Sequence, residues 1–154
     1  MFKNKFYIIA HNIRSLYNVG TIFRTADGLG ATKIFLTGYT GHPPRNEISK
    51  VALGAEENVN WEHQGDISLV IKKLKKAGVK IISVETGEGA VDYMKFKPKF
   101  PLAIIIGNEV EGISQEILKK SDKIISIPMH GKKESLNVGI ALGVAGYQIN
   151  NFRK

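Results

Sequence analysis

Short runs of almost purely apolar residues recur along this chain, and the stretches between them carry helical patterns. That alternation points to an α/β domain built on a largely parallel sheet covered by helices on both faces, because strands buried on two sides read as continuous apolar runs. The spacing predicts strands at Phe6–Ala10, Lys33–Gly38, Val79–Glu85, Leu102–Ile106 and Lys123–Ile127, with a short one near Val59–Glu62. None of the runs approaches the ~18 apolar residues of a membrane span. With 154 residues, one domain over 1–154 is expected.

The intervening segments are punctuated as helices. Asn18 is placed to cap a helix running to Leu29, with Gly30 as its left-handed stop. Asp66 is placed to cap a second, in which Ile67, Val70, Ile71 and Leu74 share one face and Gly78 ends the run. Lys72, Lys73, Lys75 and Lys76 fall largely on the opposite side, as a solvated face or as an RNA contact. The last helix, Asn137 to Asn150, has little polar face and is expected to be buried nearly all round. Gly139, Gly143 and Gly146 form a stripe along it. Each glycine costs about 1 kcal/mol in a helix relative to alanine, so the stripe implies a close backbone contact. A homodimer interface is the expected occupant.

The formal net charge is +8 and the sequence pI about 9.6, which suits a polyanionic partner such as nucleic acid and equally suits a merely soluble basic protein. There is no cysteine, so disulfides and thiolate zinc sites are excluded. The first residues lead into an apolar strand without a signal-peptide cleavage site, and a cytoplasmic location is expected.

Three segments carry candidate chemistry. In Asn18–Ala26, Gly20 and Arg24 share a helical face, and Gly20 is expected to leave open space beside the guanidinium; the arginine either clamps a phosphate through paired hydrogen bonds or is a surface residue of an amphipathic helix. In Ile104–Ser114 an apolar strand ends at Gly107 and enters a turn with Asn108, Glu109 and Glu111; Ser114 is placed to cap the next helix. Strand ends of this kind bind ligands in open α/β sheets, and Gly107 is expected to leave the backbone free for a ligand to approach, though an ordinary acidic turn has the same composition. In the third, Ile127-Pro128-Met129 leads through a loop to Ser135-Leu136-Asn137-Val138, where Ser135 and Asn137 either bond a ligand or start a helix.

Common nucleotide signatures are missing. The chain has no phosphate-binding G-x-x-x-x-G-K-[ST] loop, and Gly28-Leu29-Gly30 ends a helix instead of opening one. No two of His11, His42, His63 and His130 have metal-ligand spacing, so no metal is expected. Ser135 has no nucleophile-elbow context.

Taken in order, these segments resemble the three motifs of the SpoU/TrmH family of SPOUT RNA methyltransferases. The first matches at Asn18, Gly20, Arg24 and Ala26, the second at Gly107-Asn108-Glu109 with Gly112, and the third at Ile127-Pro128-Met129 and Ser135-Leu136-Asn137-Val138. Lys50–Ala55 and Ala90–Tyr93 are similar to further family segments, so the resemblance runs from about Phe6 to Ile149. It implies a short form without an added RNA-binding domain. It also implies a C-terminal trefoil knot, which ordinary connection rules would not predict. The implied cofactor is S-adenosylmethionine, contacting Val84, Glu85, Thr86, Gly107, Asn108, Gly112, Ile127, Met129, Ser135 and Leu136.

The implied reaction is methylation of a ribose 2′-hydroxyl of RNA, with tRNA favoured over rRNA, in a homodimer whose subunits share each active site. Arg24 matches the family's catalytic arginine. A guanidinium is a poor base at neutral pH, so the role expected for it is to hold the target phosphate and stabilise the emerging alkoxide. Asn18, Glu109, Ser135 and Asn137 would orient the arginine and the ribose. RNA recognition would fall to the basic surface, including Lys3, Lys5, Lys95, Lys97, Lys99, Lys132 and Lys133. Gly139, where relatives often carry serine, is expected to affect helix packing. Competing readings are a nicotinamide-dependent oxidoreductase, which would need the missing fingerprint, a non-catalytic RNA-binding dimer, and a base-directed methyltransferase of the same superfamily.

Overall fold

The computed structural model describes residues 4–154, so Lys3 lies outside the described residues. They form one seven-stranded sheet of β1 (Phe6–His11), β2 (Lys33–Thr37), β3 (Trp61–Gln64), β4 (Lys80–Val84), β5 (Val91–Asp92), β6 (Leu102–Ile106) and β7 (Lys123–Ser126). Its order is β3-β2-β1-β6-β4-β7-β5, and every pairing is parallel. The expected strands are present with small shifts at their ends; the one near Val59–Glu62 begins at Trp61. The two-residue β5 is too short to leave a periodic signature.

Alternation along the strands sends side chains to two apolar layers. Phe6, Ile8 and Ala10 of β1 join Leu102, Ile104 and Ile106 of β6 in one layer. Helices α1 (Leu16–Leu29), α2 (Asn46–Ala52), α3 (Ala55–Asn58) and α6 (Val138–Asn150) contribute to that same layer. Ile9, Phe35, Ala103 and Ile105 point the other way. There they meet Ile67, Val70, Ile71 and Leu74 of α4 (Ile67–Lys76) and Ile117 of α5 (Gln115–Lys120). The central strands are therefore covered on both sides, which is why Leu102–Ile106 carries no polar residue.

Asp66 caps α4 as expected, its Oδ1 accepting from the Ser68 N–H at 2.9 Å, and the four lysines lie on the exposed side. The start of α1 departs from expectation. Ser15 is the cap, its hydroxyl accepting from the Asn18 N–H at 3.2 Å, so Asn18 sits inside the first turn with its side chain buried. Gly30 does end the helix in the left-handed conformation, at φ 63°.

The glycines on the helices are also reassigned. A Cβ on Gly20 would stand 2.7 Å from the Ile48 carbonyl oxygen and 2.8 Å from the Val51 Cβ, so this glycine lets α1 and α2 cross closely and makes no space for Arg24. A Cβ on Gly139 would meet Thr21 at 2.5 Å, and one on Gly146 would meet Leu29 at 2.8 Å. The close contact inferred for the stripe is present at Gly139 and Gly146, and its partner is α1 of the same chain. Nor is α6 buried all round, since Ile140 and Tyr147 are each about half exposed.

Gly20→Ala is expected to lower stability by about 1–3 kcal/mol through overpacking at the α1–α2 crossing. Gly143→Ala, whose Cβ would meet only Thr25 at 4.0 Å, is expected to be neutral or stabilising by up to about 1 kcal/mol. Urea denaturation of both variants checks the contrast.

Candidate active site

Strands β4, β6 and β7 end at the same edge of the sheet. The turns that follow them, with the amino end of α6, enclose a cavity of about 510 Å³. That is within the range of sites for small molecules, at the carboxyl edge where open parallel sheets bind them. Val84, Glu85 and Thr86 form one wall, the turn from Gly107 to Ile113 a second, and Ile127 with Glu134–Ala141 a third. Asn18 of α1 closes the inner side.

A chain of three side chains joins these walls. Glu109 Oε1 accepts from the Arg14 N–H and Oε2 from the Ser15 N–H, both at 2.9 Å, across the start of α1. Oε2 also accepts from Asn18 Nδ2 at 2.9 Å. Asn18 Oδ1 accepts in turn from Asn137 Nδ2 at 3.1 Å. Asn137 Oδ1 caps α6, taking the Gly139 N–H at 2.8 Å and the Ile140 N–H at 3.2 Å. An ionised carboxylate only accepts, so it dictates which end of the Asn18 amide faces it, and Asn18 then dictates the orientation of Asn137. The motifs around residues 18, 109 and 137 thus meet in one relay.

Burial is the strongest single influence on Glu109 and raises its pKa. The donors from Arg14, Asn18 and Ser15 together outweigh it and hold the carboxyl below its ordinary value. Both oxygens are engaged with the start of α1, so Glu109 positions Asn18 and is not free to handle a substrate proton.

The turn after β6 is held from both sides. Asn108 Oδ1 accepts from the N–H groups of Val110 and Glu111, each at 2.8 Å, and its Nδ2 donates to the Asn12 carbonyl at 2.9 Å and to the Tyr39 hydroxyl at 2.7 Å. Glu85 accepts from the Ile113 N–H at 2.9 Å, tying the end of β4 to the same turn. A Cβ on Gly107 would lie 2.8 Å from the Gly112 carbonyl oxygen. Its smallness therefore serves the closure of the turn, where room for a ligand was expected.

Charge in the cavity runs against that of the chain. Glu85, Glu109, Glu111 and Glu134 line it, and among the described residues no lysine or arginine does. The rest of the lining is mixed: Asn18, Thr86, Asn108, Gln115, Ser135 and Asn137 are polar, and Val84, Ile106, Ile113, Leu118, Ile127 and Leu136 are apolar. This environment opposes a phosphate-bearing nucleotide and suits a ligand with an apolar ring system and positive charge.

Of the residues singled out in the sequence, Asn18, Val84, Glu85, Thr86, Gly107, Asn108, Glu109, Gly112, Ile127, Ser135, Leu136 and Asn137 all line the cavity. Met129 does not. Arg24 is exposed on α1, outside the lining, and its side chain makes no hydrogen bond or ion pair with another described residue. Glu111, Gln115 and Glu134 belong to the lining and were not singled out as ligand contacts; their position next to the motif residues was the available signal. Tyr39 was missed altogether, because an isolated tyrosine in a loop carries no pattern.

The chain matches the SpoU rRNA Methylase family over residues 5–147. It is 28% identical, over 96% of its own length and 69% of the other's, to the tRNA (guanosine(18)-2'-O)-methyltransferase of Aquifex aeolicus. It is 27% identical to YacO of Bacillus subtilis, whose name places it in the TrmH family, over 94% of this chain and 57% of that one. Among solved structures, the AdoMet-bound rRNA methyltransferase from Sinorhizobium meliloti superposes with a TM-score of 0.88 at 28% identity, covering 97% of this chain and 57% of that one. The A. aeolicus TrmH/SpoU tRNA modifying enzyme gives 0.87 at 26% identity, covering 99% and 78%. The chain thus spans little more than half the length of several of its relatives.

The depressed Glu109 pKa has a definite pH signature. Its stabilising contribution is fully present above the unfolded value near 4.5 and is lost as pH falls through the lower folded value. Glu109→Gln is therefore expected to be less stable than the wild type at pH 7, with the gap closing toward pH 3. Denaturant titrations at several pH values measure that gap.

Proposed function

We propose that this chain, which belongs to the SpoU rRNA Methylase family, transfers a methyl group from S-adenosylmethionine to a ribose 2′-hydroxyl of RNA, with tRNA the favoured substrate. The observation that carries the reading is the meeting of three separated motifs on one acidic, partly apolar cavity. The name of the Aquifex relative, a tRNA ribose methyltransferase, supports both the reaction and the tRNA preference. A cytoplasmic site of action accords with an RNA substrate.

The residues present fit the cofactor. S-adenosylmethionine carries one net positive charge, and the cavity offers four carboxylates with no competing cation among the described residues. Val84, Ile106, Ile127 and Leu136 offer apolar surface for its adenosine, and Ser135 and the turn from Gly107 to Gly112 would provide polar contacts. When bound, the cofactor supplies a methyl group activated by its sulfonium. The chain's own part is to place and polarise the hydroxyl. Glu109 fixes Asn18, Asn18 fixes Asn137, and the relay holds the amino ends of α1 and α6 in register along the cavity.

Arg24 would grip the phosphate beside the target ribose and steady the developing alkoxide. It stands outside the cavity of its own chain, which supports a homodimer in which each copy lends its arginine to the other. The exposed apolar residues Ile140 and Tyr147 on α6 and Tyr17 on α1 supply a face for that contact. A C-terminal knot is supported by the strand order: β7 lies between β4 and β5, the two strands joined by residues 85–90.

Arg24→Lys keeps the charge and loses the fork. Methyl incorporation into unmodified tRNA from labelled S-adenosylmethionine is expected to fall by about a hundredfold or more in this variant, with product binding retained. Near-normal incorporation refutes the clamp, and no incorporation by the wild type into any RNA refutes the activity. Sedimentation is expected to show a dimer at micromolar concentration, and Ile140→Asp is expected to shift it to monomer with loss of turnover.

A further inference from the structure

We propose that Tyr39 is a stacking platform for an unpaired base of the RNA substrate at the rim of the cavity. Tyr39 is 59% exposed, yet it is held at two points. Its N–H donates to Asn12 Oδ1 at 3.1 Å, and its hydroxyl accepts from Asn108 Nδ2 at 2.7 Å. The anchors are themselves constrained. Asn12 adopts a left-handed conformation at φ 54°, its N–H bonded to the Thr37 carbonyl at 3.2 Å and its carbonyl bonded to Asn108 at 2.9 Å. Gly38 also has positive φ, at 64°, and a Cβ there would collide with the Asn12 side chain. The backbone and the phenol are thus both fixed, and much of the ring stays open to solvent.

An aromatic side chain ordered in this way loses conformational freedom without being buried in return. Single-stranded RNA is recognised on surfaces of this kind, where an unstacked base lies on an aromatic face. Position and charge favour that occupant. Asn108 belongs to the cavity wall, so the ring is one side chain from the methyl-transfer site. Arg14 and Arg45 are exposed on the loops before α1 and α2, Arg45 also contacting Glu47 at 3.2 Å. An acidic cavity next to a rim with arginines would keep the RNA backbone at the rim and admit only the reacting ribose.

The inference rests on RNA being the substrate, and it deepens that reading by naming how the nucleotide is held. It contrasts with a purely structural role, in which the hydroxyl matters because it satisfies Asn108. The ring and the hydroxyl are separable. Affinity for unmodified tRNA, measured by fluorescence anisotropy, is expected to fall about 5- to 100-fold in Tyr39→Leu and to stay within about twofold in Tyr39→Phe. Calorimetric binding of S-adenosylhomocysteine should be unchanged in both. A fully paired RNA duplex should bind wild type and Tyr39→Leu alike.

Tyr39→Leu binding tRNA as well as the wild type overturns the platform. So does Tyr39→Phe losing as much affinity as Tyr39→Leu, or either variant losing S-adenosylhomocysteine. Because anisotropy needs no turnover, a wild-type protein that binds tRNA through Tyr39 without methylating it refutes the proposed activity alone. Methylation that is indifferent to the ring refutes only the platform.

Discussion

The Glu109 carboxylate lies across the first turn of α1 and takes two backbone N–H groups and the Asn18 amide. Free N–H groups at a helix start need acceptors, and a negative charge there also meets the positive end of the helix dipole. Supplying that acceptor from the turn after β6 couples two elements about 90 residues apart in sequence. The coupling continues through Asn18 to Asn137, whose other end caps α6. Position of α1, geometry of the cavity and start of the last helix therefore depend on one ionised group.

The same relay explains the chemistry of the cavity. Two of its four carboxylates, Glu85 and Glu109, are occupied with backbone N–H groups and shape the walls. Glu111 and Glu134 are exposed and set the local potential. A chain with a net charge of +8 thus keeps its small-molecule cavity negative. The separation would let the proposed cationic cofactor and polyanionic substrate use neighbouring regions of one surface without competing for the same counter-charge.

Much of this was legible in the sequence because it rests on local rules. Leu102–Ile106 is apolar throughout because β6 is central and covered on both faces, and Asp66 and Ser114 cap their helices as their positions suggest. What was not legible depends on tertiary partners. Asn18 reads as a cap, but Ser15 takes that place and the Asn18 amide is drawn inward by a carboxylate from a distant turn. Gly20 and the α6 glycines read as open space and as a subunit contact; the neighbours that explain them are Ile48, Val51, Thr21 and Leu29 of the same chain. Arg24 reads as a phosphate clamp or as a surface residue of an amphipathic helix, and its absence from the cavity lining follows from a helix orientation that no local pattern encodes.

The proposed activity requires the cavity joined by Glu109, Asn18 and Asn137 to hold S-adenosylmethionine. Calorimetric titration of the wild-type protein with S-adenosylhomocysteine, the demethylated product, tests it most directly. Saturable binding with one site per chain is expected. Absence of binding up to millimolar ligand would contradict it, and would leave the acidic cavity without the occupant its charge and shape describe.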